Sequence, residues 1–178
     1  MNTVRLLGAA QLIVIVGALI TDRLLASALG SGSISDILVN ISKNLTRMRI
    51  SNLAALGQIL AIIVMGVLYY VVFYKEYAII ALVALGCFLV AAIASALSKI
   101  GANALIPVSQ KFVEAGAPES SYFQTLGDFF YYGVDRRGYE IQMLFTGLGF
   151  LLQMRRMPRP VVGDEFAVEG VGILMVWS

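Results

Sequence analysis

The chain alternates long apolar stretches with short polar breaks, and the clearest example lies in its middle. Two uncharged stretches, residues 50–74 and 77–98, are separated only by Lys75 and Glu76. At 1.5 Å per residue, each is long enough to cross the roughly 30 Å hydrocarbon core of a bilayer as a helix. So short a joint favours antiparallel neighbours. The pattern therefore predicts a transmembrane helical hairpin.

Two weaker stretches flank this hairpin. Residues 5–29 are apolar apart from a basic start and the pair Asp22 and Arg23. A cleaved signal peptide fits the same pattern, with the small residues 26–28 as its cleavage site. A retained first helix is favoured, because the apolar run is at the long end for a signal peptide. Residues 138–154 predict a fourth span, near the short limit for crossing a bilayer.

Residues 34–49 have the periodicity of an amphipathic helix. The apolar positions that share one face are Ile34, Ile37, Leu38, Ile41, Leu45 and Met48. Ser33 and Asp36 have the spacing of a capping box. Three cations lie near the end of the segment: Lys43, Arg47 and Arg49. Such a helix is expected either on the membrane surface or packed on the end of the bundle, and the pattern favours neither over the other.

The segment from residue 99 to residue 137 is predicted to be a loop, which Pro107 and the turn at 115–118 break into short pieces. Its second half is rich in Phe and Tyr. Aromatic rings with one polar end favour the membrane interface, and the candidates are Tyr122, Phe129 and Tyr132. The alternative, an aromatic cage for a ligand, lacks a polar cluster beside it.

Composition narrows the chemistry. Hydrophobic residues make up 59% and charged residues 13% of the chain, against roughly 45–50% and 25% in soluble domains. The net charge of +2 is scattered, so nucleic acid is not an expected partner. The chain has no histidine, the commonest general base and metal ligand, and its one cysteine, Cys87, is expected to pack as a small core residue. We therefore expect no enzyme activity, no catalytic or metal-binding residue and no cofactor.

These observations predict an all-α fold: a polytopic membrane helix bundle of about four spans plus an amphipathic interfacial helix. Residues 1–159 would form the membrane domain. Residues 160–178 are expected to be a poorly ordered tail, because Pro158 and Pro160 interrupt any helix and acidic residues follow.

Few polar side chains are expected at membrane depth. The two candidates are Gln58, in the second span, and Asn103, after the third. Small residues at 57 and 61, and at 91 and 95, are spaced to let helices approach closely. Helix packing explains these small residues without any chemistry.

The order of elements resembles the DUF4386 family of uncharacterised prokaryotic membrane proteins. The resemblance is carried by the stretch "ILVNISKNLTRMRISNL", the close hairpin, the loop with Asn103, and the late "RRGYEIQMLFTGLGFLL" followed by "RMPR". It covers about residues 5–159. The tail after Pro160 departs from the family, whose members continue with another apolar span. The resemblance implies an architecture and no mechanism.

Three function classes follow, in order of preference. The first is a small non-enzymatic multi-pass protein of the prokaryotic inner membrane, whose partners are the lipid bilayer, other membrane proteins or further copies of itself. The second is a subunit of a small-solute transporter or permease, with Gln58 and Asn103 along the path. The third, an intramembrane enzyme, is disfavoured because the uncharged stretches hold no ionisable group at depth.

Overall fold

The computed structural model describes residues 3–118 and 122–154, and the regular elements in that part are all helical. The stretch Leu45–Glu114 is interrupted at Tyr77, whose φ of −140° and ψ of 50° are not helical, and we treat its halves as two helices. The elements are α1 (Thr3–Leu29), α2 (Ile34–Lys43), α3 (45–76), α4 (78–114), α5 (Tyr122–Asp128), a π-helical segment (Phe129–Arg136) and α6 (Arg137–Met154). The all-α prediction is confirmed.

Helices α3 and α4 form the antiparallel hairpin that the sequence predicts. The Tyr69 ring stacks on that of Phe88 with 5.9 Å between ring centroids, and Asn52 donates a hydrogen bond to Asn103 at 2.9 Å. In both pairs the midpoint between the two residue numbers falls close to residue 77. An antiparallel hairpin whose joint is at Tyr77 requires this. We call the end with this joint the tip of the bundle and the opposite end its base.

The other two long helices pack on the two sides of the hairpin. Helix α1 lies on α3, where Tyr69 donates a hydrogen bond to Gln11 and Ser51 donates one to the backbone carbonyl of Thr21. Helix α6 lies mainly on α4, and the Phe150 ring meets that of Phe88 edge to face. The core between them consists of eight buried side chains: Leu7, Val14, Ile59, Ile62, Met65, Tyr69, Phe88 and Ala92.

A second core lies at the base. Helix α2, the last part of α4 (residues 99–114) and α5 pack there on the end of α1, and we call this unit the cap. Its core residues are Ala28, Leu29, Ile37, Leu38, Ile41, Met48, Ala102, Leu105, Val108 and Phe112. The apolar face of α2 is therefore buried against the protein, which decides between the two placements that the sequence left open.

Two sequence predictions on this region are wrong in detail. The segment after residue 98 is not a broken loop, because α4 continues through Pro107 to Glu114. Proline in a helix costs about 3 kcal/mol, and burial of residues such as Leu105 and Phe112 offsets that cost here. The amphipathic helix also ends early. Asn44 leaves the helical conformation, and residues 45–49 belong to α3.

By length and composition, two helical stretches qualify as membrane-crossing, Leu7–Leu29 and Leu45–Glu114. The second contains both arms of the hairpin. The predicted tail, residues 160–178, lies outside the described residues.

Candidate functional site: a buried ion pair at the base of the bundle

The most unusual polar group in the structure is an ion pair between α4 and the π-helical segment. The Lys99 ammonium lies 3.5 Å from Oδ1 of Asp135, and about a tenth of each side chain is exposed. The Ser98 hydroxyl donates a hydrogen bond to the same carboxylate oxygen at 2.5 Å. Burying charge is unfavourable unless the charges are paired and hydrogen bonded, and here they are both.

Two glycines allow this contact by bringing the backbones together. A Cβ atom on Gly101 would lie 2.9 Å from Val134, and one on Gly138 would lie 2.9 Å from the carbonyl oxygen of Ala94. A larger residue at either position would therefore push α4 away from the start of α6. Because the two backbones lie so close together, the short Asp135 side chain can reach Ser98 and Lys99.

The π-helical segment also helps to orient Asp135. A π-helix bonds residue i to residue i+5, so it shifts the rotation of the residues that follow it relative to an α-helix. Asp135 is buried toward α4, while the next two residues, Arg136 and Arg137, are exposed and pair with Glu140. Adjacent charges are thus separated into one buried group and two solvent-facing groups.

Polar contacts from α1 and α3 lie near this pair. Tyr139 donates a hydrogen bond to the carboxylate of Asp22 at 3.5 Å, which joins the first and last long helices. Asn103 accepts a hydrogen bond from Asn52 and donates one to the backbone carbonyl of Lys99 at 2.9 Å. All four long helices therefore contribute polar groups to the base.

Of the two polar candidates from the sequence, the structure brings one into this network. Asn103 takes part in it, whereas Gln58 lies half-buried along α3 and outside it. Among the described residues, a Cβ on Gly57 would meet nothing within 4 Å, so position 57 is not a close-approach site, although Ala61 packs against the bundle core. Ala91 and Ser95 are buried, and the closest backbone approaches lie at Gly101 and Gly138.

The interfacial candidates lie on the surface, at the base. Lys43, Arg47 and Arg49 are exposed near the junction of α2 and α3. The rings of Tyr122, Phe129 and Tyr132 are 73%, 60% and 44% exposed on α5 and the π-helical segment. None of these six belongs to the buried network.

Sequence reasoning missed Lys99 and Asp135, which both fall in the segment predicted to be a loop. Charged residues beside turn formers are typical of a solvated surface, and neither residue has a local signal for burial. The nearby Asp22 is only half-buried, and its neighbour Arg23 is exposed. Lys99 follows an uncharged stretch and Asp135 lies three residues before Gly138, but neither feature by itself indicates burial.

The chemistry of the network is that of an internal salt bridge. Within residues 3–118 and 122–154, no three His, Cys, Asp or Glu side chains are grouped to hold a metal ion. An open cavity of about 320 Å³ lies on the cap, away from the ion pair, and its lining includes Asp36, Asn40 and Lys43. The geometry thus holds four helices together at one end and leaves both charges engaged with each other.

Residues 6–159 match the family model described as a domain of unknown function, DUF4386. Because this match covers most of the chain, the protein belongs to the DUF4386 family. Searches of curated proteins and of solved structures found no match.

Proposed function

We propose that this protein is a four-span integral protein of the prokaryotic cell membrane that acts, without catalysing a reaction, through contacts with lipids or other membrane proteins. One observation carries the proposal: each of the four long helices turns large apolar side chains outward. Examples that are more than half exposed are Leu19 on α1, Leu60 on α3, Ile93 on α4 and Leu144 on α6. In water this much exposed apolar surface would drive aggregation, whereas lipid would cover it.

The extent of this apolar belt fits a bilayer. Along α3 the exposed aliphatic side chains run from Ile50 to Val71, about 32 Å at 1.5 Å per residue. Along α4 they run from Ile79 to Ile100, also about 32 Å. Both lengths are close to the roughly 30 Å of a hydrocarbon core.

Helix α6 supports the fourth span in spite of its moderate hydropathy. Its polar residues Gln142 and Gln153 are buried, with 5% and 7% of their surface exposed, while Leu144 and Leu151 face outward. This arrangement reverses that of a surface helix in a soluble protein, where polar residues face the solvent. Its 18 residues extend for about 27 Å.

Contacts, rather than a reaction, are favoured because the Asp135 and Asp22 carboxylates at the base are already engaged by other side chains. The Asp135 carboxylate accepts from Ser98 and pairs with Lys99, and the Asp22 carboxylate accepts from Tyr139. A side chain that acts as a general base or a nucleophile must be free to reach a substrate.

Topology is tested by cysteine labelling in a Cys87→Ser background. Single cysteines at Ser31 and Ala115, both exposed at the base, should react with a membrane-impermeant maleimide from one side of the membrane, and a cysteine at Glu76 only from the other. Extraction at alkaline carbonate pH should leave the protein in the membrane. Labelling of all three positions from one side, or recovery in the soluble fraction, would refute the four-span proposal.

The contact role is tested by photo-crosslinking in cells. A photoreactive amino acid at Leu60 or Ile93, both on the apolar belt, should form adducts with lipid or with a defined membrane protein. The same group at Phe88, which is fully buried, is the control and should react only within the chain. Adduct patterns that do not differ between the belt and Phe88 would contradict the proposal.

A subunit of a small-solute transporter is the second candidate, and the buried Lys99 and Asp135 favour it. Ionisable groups buried between membrane helices commonly mark ion or proton pathways. Vesicles containing the purified protein and a pH-sensitive dye would test it under an imposed proton or potassium gradient. Flux above that of empty vesicles that Asp135→Asn abolishes would favour transport, and flux equal to that of empty vesicles would favour the contact role.

A further inference from the structure

Three arginines at the base have no acidic partner among the described residues. Arg23 on α1 and Arg47 and Arg49 on α3 are exposed. Among residues 3–118 and 122–154, no carboxylate lies within salt-bridge distance of any of the three. We call them the arginine collar. No acidic side chain of the described part of the chain therefore neutralises their charge.

Packing places the collar at one level of the bundle. The hydrogen bond from Ser51 to the Thr21 carbonyl at 3.3 Å fixes how antiparallel α1 and α3 align. Arg23 and Arg49 each lie two residues beyond this contact in the direction of the base. The two guanidinium groups therefore start from the same level along the bundle, although they belong to different helices.

That level is the edge of the apolar belt. Ile20 and Ile50 are 54% and 50% exposed and lie beside the collar on the tip side, on α1 and α3 respectively. Beyond the collar lies the cap, whose core is covered by its own helices. A long Arg side chain at such an edge can extend to the headgroup layer while its stem lies along apolar surface.

The other exposed cations of the described residues are either paired or lie away from this level. Lys43 on α2 and Lys111 on α4 have no salt bridge among the described residues, but both belong to the cap. Arg136 and Arg137 share Glu140, at 3.7 Å and 2.9 Å. At the tip, Lys75 is followed in the sequence by Glu76. The uncompensated positive charge next to the belt is thus concentrated in the collar.

We propose that the arginine collar binds the phosphate groups of anionic phospholipids, so that the base of the bundle is surrounded by a shell of acidic lipid. The guanidinium group donates two parallel hydrogen bonds to a phosphate, and its charge complements the acidic headgroup. This inference rests on the proposed membrane insertion and adds the lipid class to it. Each arginine near an anionic surface is expected to contribute about fivefold to the preference for acidic lipid.

The test measures lipid binding to the purified protein in a neutral detergent by native mass spectrometry. Phosphatidylglycerol and phosphatidylcholine with the same chains are added separately. The wild-type protein should retain phosphatidylglycerol preferentially, and Arg23→Gln with Arg49→Gln should reduce that preference at least tenfold. Lys75→Gln, which removes one exposed cation at the tip, is the control and should leave it unchanged.

Three results would overturn the inference: equal retention of the two lipids by the wild type, an equal loss in Lys75→Gln, or displacement of the lipid by millimolar inorganic phosphate. The last result would mean a site for a soluble anion. Carbonate extraction of the same variants separates the two proposals. If the double variant remains membrane-inserted but the lipid preference is absent from the wild type, only the collar assignment fails.

Discussion

The bundle and the cap are built from the same kind of element, and α4 runs through both, yet α4 exposes charged side chains only in the cap. In the bundle, residues 79–98 of α4 expose large apolar side chains such as Ile79 and Ile93. In the cap, the same helix exposes Lys111 and Glu114 while it buries Phe112. Each surface fits its own solvent. If the protein is inserted as proposed, one continuous helix passes from lipid into water or the headgroup layer.

The interiors differ as well. The core of the cap is mainly apolar, as in a small soluble protein, and the buried Ser109 hydroxyl bonds to a backbone carbonyl of its own helix. The bundle combines an aromatic cluster of Tyr69, Phe88 and Phe150 near the tip with a buried ion pair at the base. In water, burial of apolar surface stabilises a fold, whereas between lipid-facing helices close packing and polar contacts take over that role.

The largest expected effect is at the junction of the two regions. Asp135→Ala leaves the Lys99 ammonium buried without its partner, and we expect a loss of about 3–5 kcal/mol in the free energy of unfolding. Reversible unfolding in mixed micelles measures it. The double variant Lys99→Met with Asp135→Leu is the control, since removal of both charges should recover most of the loss. A cost below about 1 kcal/mol for Asp135→Ala would show that the pair does not join the two regions.

The difference in surroundings between the cap and the bundle can be tested by truncating one buried phenylalanine to alanine in each region. Phe112 and Phe88 are both fully buried, the first in the cap and the second in the bundle. Phe112→Ala is expected to cost about 3–5 kcal/mol, as in a water-soluble core. Phe88→Ala should cost less, because in its unfolded state the ring stays in an apolar environment and only packing is lost.

Unfolding of both phenylalanine variants in bicelles gives the two values side by side. If Phe88→Ala is as destabilising as Phe112→Ala, the distinction between the two solvents is wrong.

Close helix packing is tested at two glycines of the bundle. Gly138→Ala would place a Cβ 2.9 Å from backbone atoms of α4, so it should cost about 1–3 kcal/mol and loosen the contact to Asp135. Gly57→Ala is the matched control, because open space surrounds that position. The melting temperatures of the two variants in detergent would show the difference. Equal melting temperatures would mean that α4 and α6 are not held in close contact.

The smallest effect is expected in the cap, at the start of α2. Ser33 and Asp36 form a reciprocal capping box, and Ser33→Ala should cost about 1 kcal/mol. The Asp36 carboxylate accepts hydrogen bonds from the hydroxyl and the backbone N–H of Ser33, and these bonds lower the pKa of Asp36. The ionised form is thus favoured in the folded state. Its stabilising contribution is present above the unfolded pKa of about 4 and is lost as the pH falls through the lower folded value.

Unfolding measured against pH in the wild type and in Ser33→Ala tests this reasoning. The acid-side loss of stability should be smaller in the variant, and Ser42→Ala, on the same helix but outside the capping box, should keep the wild-type profile. Identical profiles for all three proteins would contradict it.

Local features of the fold were predictable from the sequence. The uncharged stretches on either side of residues 75–76, the periodicity of α2 and its capping box each depend on neighbours within a few turns. Pro107 shows the limit of such reasoning. Its local preference is to break a helix, but the contacts of α4 with α2 in the cap outweigh that preference.

The candidate site was decided by the tertiary structure. Asp135 and Lys99 are 36 positions apart, and nothing near either residue marks it as buried. Their pairing depends on the close approach of two backbones at Gly101 and Gly138 and on the rotation that the π-helical segment introduces. The sequence by itself determined which stretches are apolar and helical, since burial of apolar surface follows composition. Which charges are withdrawn from solvent was decided by packing, because a charge is buried only where another element supplies its partner.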